Sequence, residues 1–371
     1  MAKFREFLKR KDIHISPKRY GIDALGAMAQ GLFCTLLVGT ILNTLGQMGV
    51  GFLNEIVVTI KQGENTLSYT IGGLASAMVG PGIAVAIGLA LKAPALVLFS
   101  LIPVGFAANA MGGAGGPLAV YFVAIVAVEC GKLVSKETKI DILVTPIVTT
   151  LAGIGIAALI AAPIGKAASA VGEFVEWATI LQPFWMGILV SVSVGIALTL
   201  PISSAAICAA LGLTGLAGGA AVAGCCAQMV GFAVMSFKEN RWGGLVSQGI
   251  GTSMLQMPNI VKNPRIWIPP ILASAITGPI ATCVFGLQMN GAPVNSGMGT
   301  CGLCGQIGVW TGWLAPVEKA VEMGATAITP GAMDWIGLVL ICFVLPAILS
   351  TVFCEILRKM GWIKEGDLKL P

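Results

Sequence analysis

The chain of 371 residues is 56% hydrophobic and only 11% charged, whereas a soluble globular domain carries roughly 25% charged residues. That composition excludes an ordinary soluble enzyme. The net charge of +5 sits mostly in short segments flanking apolar runs, which marks membrane topology rather than nucleic-acid binding.

The N-terminal arm, residues 1–21, is basic through Lys3, Arg5, Lys9, Arg10, Lys11, Lys18 and Arg19. The apolar run after it is too long for a signal-peptide core and reads as a retained first membrane helix. Ten embedded segments are predicted, at about 22–46, 67–91, 94–110, 117–134, 140–162, 183–201, 202–216, 217–236, 266–288 and 333–357. With residues 358–371 as a tail, this is an all-α polytopic membrane bundle whose transporter body is 22–357. Placing both termini in the cytoplasm leaves only Lys61, Lys166 and Lys319 of the 22 basic residues outside. Letting the short 202–216 segment cross is part of that fit.

Three stretches read as broken or re-entrant pieces rather than plain spans: 105–117 (GFAANAMGGAGGP), 201–219, and 286–308 (GLQMNGAPVNSGMGTCGLCGQIG). Irregular backbone at membrane depth survives only against protein or a water-filled cavity, so these mark a solute pathway. Residues 163–182 suit an amphipathic segment at the outer surface, and the more polar 237–265 a cytoplasmic gate or a buried loop.

Few residues offer chemistry. The single histidine, His14, lies in the basic arm, and no GxxxxGK[ST] phosphate loop is present, so neither a His relay at depth nor ATP-driven pumping is expected. Neither a catalytic centre nor a bound cofactor or metal is expected. Glu129, within the fourth span, either meets solute hydroxyls or a coupling proton, or pairs with Lys132 at i+3. Asn109, Asn290 and Asn295 carry amides that both donate and accept, suited to a polyhydroxyl solute but equally to capping a broken helix. Gln228 and Gln288 are further solute candidates, or bridges between helices. Cys301-Gly-Leu-Cys304 and fifteen methionines would suit copper(I), though a lone CxxC fits ordinary packing better and the ten cysteines imply no disulfide framework.

Residues 109–165, NAMGGAGGPLAVYFVAIVAVECGKLVSKETKIDILVTPIVTTLAGIGIAALIAAPIG, resemble enzyme IIC, the membrane subunit of bacterial sugar phosphotransferase systems. NGAPVNSG at 290–297 is similar to the GGPVNK-type segment of fructose-type permeases. Within that superfamily the chain most resembles the stand-alone branch labelled phosphotransferase IIC-like, perfringolysin O regulator-like or putative toxin regulator. The resemblance implies a homodimer in the bacterial inner membrane, moving a sugar or sugar derivative by an elevator-like displacement of a re-entrant hairpin. It also implies separate IIA and IIB phosphotransferase proteins as partners. Well-studied members place a membrane-embedded His or a Glu-containing motif near the sugar; this chain has no such His, and Glu129 matches only loosely by position. A membrane sensor or regulator that keeps the scaffold without transporting is the alternative.

Overall fold

A computed structural model describes residues 2–47, 50–62 and 65–370. The chain divides into two compact units: Met1–Gly39 with Glu55–Ala167, and Thr40–Asn54 with Ala168–Pro371. The N-terminal arm falls in the first unit and the tail in the second.

In the first unit, the arm forms α1 (Ala2–Arg10), and a helical stretch α2 (Arg19–Asn43) follows. A two-stranded antiparallel hairpin, β1 (Val58–Gln62) and β2 (Asn65–Tyr69), comes next, with Ile60 opposite Leu67. The second segment therefore begins at 71 rather than 67, because Val58, Thr59, Ile60, Thr66 and Tyr69 are strand formers. It consists of α3 (Ile71–Ala77) and α4 (Val79–Ala90), bent by 53°. Then α5 (Ala95–Gly112) and α6 (Gly116–Val134) fold back on each other. Gly112 lies against Ala119 at the turn and Gly131 against Val97 at the far end, so the pair is antiparallel. At 1.5 Å per residue each is about 27–29 Å long, enough to span hydrocarbon. The 39-residue α7 (Asp141–Thr179) closes the unit and continues into the second. Its segment beyond 163 is the same helix, with Phe174 and Trp177 exposed.

Small residues set the spacing here. A Cβ on Gly31 would fall 2.5 Å from the Gly82 carbonyl oxygen, which fixes α2 on α4. Such close approach is the packing mode left to helices in lipid. The outer face of α7 is the reverse, with Leu143, Leu151 and Leu159 exposed at 59, 69 and 71%. An apolar band so open is what a lipid-facing helix presents.

The second unit is built round α10 (Gly215–Met235), whose residues are nearly all buried. Before it come α8 (Pro183–Thr199) and the short α9 (Ser204–Leu211). After it run α11 (Phe237–Val246), α12 (Met257–Lys262), α13 (Pro264–Val284), α14 (Cys304–Leu314), α15 (Glu318–Glu322) and α16 (Ala332–Lys359). Val194 meets Cys225 and Thr199 meets Gln228, so α8 and α10 run the same way and residues 200–214 bring the chain back. Ser191 donates to the Ser274 carbonyl and Thr282 to that of Pro183, which sets α13 antiparallel to α8.

By length and composition six helices could cross a membrane, or seven with α3–α4 as one bent span. That figure takes Ala95–Val134 once, although it is folded into two helices, and leaves out α8, an apolar helix of 17 residues. The expected ten segments are not reached by this measure.

The polar stretch 237–265 is a clamp on the tail. Asn240 Nδ2 donates to the Leu368 carbonyl (2.8 Å), and its Oδ1 accepts from the Leu370 N–H (2.9 Å). Gln256 Nε2 also reaches the Leu368 carbonyl (2.9 Å), and Asn259 Nδ2 that of Lys369 (2.8 Å). Leu368 and Ile363 are buried beneath these bonds. Replacing Asn240 by Ala strands the Leu370 N–H and leaves the Leu368 carbonyl to Gln256 alone, at a cost of about 1–3 kcal/mol. Residues 363–370 should then become protease-sensitive; a tail cut no faster than in the parent would show that the bonds do not hold it.

Candidate functional site

Between α13 and α14 the chain is not helical in the ordinary sense. Gly286, Gly299, Gly302 and Leu303 all have positive φ, and residues 293–297 make a short tight turn of helix. This limb is pinned at its start by a bridge in which Gly215 and Met289 exchange both backbone hydrogen bonds at 3.0 Å. It then runs beside α10 until Gly299 meets Cys225 and Cys226, halfway along that helix. From there α14 returns: Gly305 packs on Gly299, Gly308 on Asn295 and Gly312 on Asn290. The short α9 packs on the same limb, with Ser204 donating to the Gly297 carbonyl and Ser296 to that of Leu213, both at 2.7 Å.

Two cavities in this unit share Gln288, Asn290, Gly324 and Ala325. One, of about 250 Å³, is bounded also by Gly312, Trp313 and Asp334. The other, of about 410 Å³, is bounded by Thr214, Met186 and Met323. The larger lies within the roughly 300–1,000 Å³ common for small-ligand pockets. Asn290 is only 5% exposed. Its Nδ2 donates to Gln288 Oε1 at 3.0 Å, while its Oδ1 is buried without a hydrogen-bond partner. A buried amide oxygen left unbonded costs about 1–3 kcal/mol, so it is a natural acceptor for a solute hydroxyl. The Val317 N–H takes the Asn290 carbonyl at 2.9 Å, fixing the residue between α14 and α15.

Of the six residues singled out in the sequence, Gln288 and Asn290 come together here, and Asn295 lies on the same limb beside Gly308. Gln228 does not join them. It is fully buried, its Oε1 accepting from Thr199 (3.2 Å) and Trp267 (2.9 Å) and its Nε2 donating to Ser274 (3.4 Å). Both its polar atoms are engaged in bridging α8, α10 and α13. Asn109 and Glu129 belong to the first unit. Asn109 sits at the α5–α6 turn, where a Cβ on Gly116 would fall 2.5 Å from its Oδ1. Sequence reasoning passed over Asp334 and Trp313. Asp334 Oδ2 accepts from the Gly331 N–H at 2.8 Å, so in sequence it looks like an ordinary helix-start carboxylate. Trp313 looks like core, and gave no signal.

Glu129 takes the ion-pair alternative. Tyr20 donates to its Oε1 at 2.9 Å, and Lys132 and Arg19 stand 3.7 and 3.9 Å away. Lys132 and Arg19 are 2% and 8% exposed, and buried cations need such partners. Glu129→Ala should therefore lower stability by about 2 kcal/mol while leaving solute affinity alone. A raised KM with unchanged melting would return Glu129 to the solute site.

A family model described as Phosphotransferase system, EIIC matches residues 22–370. No curated protein and no solved structure matches the chain.

Proposed function

The chain belongs to the phosphotransferase system EIIC family, membrane permeases for sugars, and from that premise we propose that it carries a sugar or sugar derivative past Gln288 and Asn290. The observation that carries this reading is the unbonded, buried Oδ1 of Asn290, a residue that lines both cavities. Amides can donate to and accept from the same hydroxyl-rich ligand, and the Trp313 indole offers an apolar wall for a sugar ring. Asp334 adds an acceptor at the rim of the smaller cavity.

The limb over 286–303 and α14 would be the re-entrant hairpin, entering to half the depth of α10 and returning. Its run of left-handed residues supplies a backbone that can shift between two packings. An elevator-like displacement would move the solute, the division into two compact units being what supports that motion. A ligand drives such a change only through different affinities for the two states. Phosphorylation of the sugar would come from separate IIA and IIB proteins, and a homodimer in the bacterial inner membrane with cytoplasmic termini completes the proposal. The family match speaks for a permease and lends nothing to a sensor without transport.

Counterflow in proteoliposomes tests this. Labelled sugars offered singly to the purified protein should give saturable uptake for at least one of them. Uptake that stays linear with concentration across hexoses, pentoses and amino sugars would end the proposal.

A further inference from the structure

The first unit holds a further cavity, of about 480 Å³, that the transport proposal does not use. It is lined by Arg10, Lys11, Lys92, Lys132 and Lys136, with Asp12 and Glu137 as the acids. Five cations thus face two carboxylates. Among the next neighbours Arg19 and Glu129 cancel, and Asp141, whose carboxylate accepts from the Lys136 N–H at 2.7 Å, lowers the surplus from three to two.

The pairing within the cavity shows where the surplus lies. Glu137 is shared by Arg10 (2.6 Å) and Lys11 (2.5 Å), and Asp12 by Arg19 (3.1 Å) and Lys132 (3.8 Å). Among the described residues Lys92 and Lys136 have no ion pair, and both are exposed. The field is strong enough to act on the acids. The hydrogen bond from Arg19, with the charges of Lys132 and Lys92 behind it, holds the Asp12 carboxyl below its usual range.

Backbone geometry aims these groups. Five non-glycine residues have positive φ in the described chain, and three of them line this cavity: Asp12 (52°), Lys92 (56°) and Lys136 (59°). Lys92 ends α4 in a Schellman turn, its N–H bonded to the Leu89 carbonyl and the Ala93 N–H to that of Gly88. Glycine is the usual residue there, and a lysine endures the strain. Strained positions gather at functional sites because something else selects the side chain.

We propose that this cavity binds a phosphate-bearing anion, and that the source is the headgroup of an anionic membrane lipid. The place favours lipid. Pro94 opens α5, Lys132 lies in the last turn of α6, and Ser135 to Glu137 follow directly, so the cavity lies at the ends of helices long enough to span hydrocarbon. Those ends sit at headgroup level. Basic pockets there hold lipid phosphates. Phe7, on α1, lies under Arg10 and Lys11 at 5.2 and 5.6 Å and gives the acyl-chain side an apolar neighbour.

The test uses the full chain in a neutral detergent and follows thermal unfolding with three probes: short-chain phosphatidylglycerol, short-chain phosphatidylcholine and inorganic phosphate. Phosphatidylglycerol should raise Tm saturably; phosphatidylcholine should not, because its choline meets surplus positive charge. Lys92→Gln with Lys136→Gln, both surface changes, should bind phosphatidylglycerol about thirtyfold more weakly. Lys92→Gly gives the sharper signature, since it relieves the left-handed strain: the unliganded protein melts higher while phosphatidylglycerol binds about fivefold more weakly. Inorganic phosphate matching phosphatidylglycerol would keep the anion site but overturn the lipid source. Equal affinity in parent and both variants, or no saturable response to any probe, would overturn the site itself.

Discussion

Asn290→Leu is expected to reduce kcat/KM for sugar uptake by about ten- to a hundredfold, because a nearly isosteric apolar side chain removes the unbonded acceptor of a residue that lines both cavities. The fold should survive. The side chain makes a single hydrogen bond, to the exposed Gln288, and the contacts that hold the residue are backbone ones to Val317 and to the face of Gly312. Asn290→Asp keeps an acceptor and should lose less. Purified variants assayed in proteoliposomes, with melting curves beside them, separate the two effects. Uptake by Asn290→Leu equal to the parent's would remove Asn290 from the site.

Gly224→Ala should have the largest effect on the fold itself. A methyl on Gly224 would collide with the Ser191 backbone carbonyl, and no side-chain rotation can clear it. The helices α8 and α10 would have to part, although Ser191 also bonds to Ser274 and Cys225 faces the Val194 carbonyl. Overpacking of this kind costs about 1–3 kcal/mol, and more when backbone is the obstacle. Gly155→Ala is the matched control, a helical glycine on α7 with nothing within 4 Å of the added carbon. It should be neutral or slightly stabilising, since alanine is the better helix former. Equal melting temperatures for the two variants would mean that α10 does not depend on close approach.

Sequence pattern reached the class of fold because hydrophobic length is read residue by residue. The pairs 94–110 and 117–134 stand nearly as expected, in α5 and α6, for the same reason. Depth and partnership are different matters. GFAANAMGGAGGP and GLQMNGAPVNSGMGTCGLCG are both rich in glycine and carry amides, yet the first is the end of the regular helix α5 with a tight turn and the second a largely non-helical limb beside α10. What separates them is tertiary. Gly115 packs on the α7 backbone at Ile164 and closes the turn, whereas Gly299 and Gly305 stack on each other against α10.

The amides show the same limit. In sequence both amides were solute candidates, Asn290 in a broken Gly-rich stretch and Gln228 inside a predicted span, and tertiary contacts separate them. Three helices meet at Gln228 and engage both its oxygen and its nitrogen; a non-helical limb carries Asn290 and leaves an oxygen unbonded. Glu129 and Lys132 were legible at i+3, but Arg19 and Tyr20, more than a hundred residues earlier, complete that cluster and could not be inferred from spacing.

The location of a bound sugar tests the central claim most directly. A structure determined with the transported sugar at saturating concentration should show a hydroxyl within about 3 Å of Asn290 Oδ1, with Gln288 beside it. Sugar held instead by Asn109 or Glu129 in the first unit, with Asn290 untouched, would contradict it.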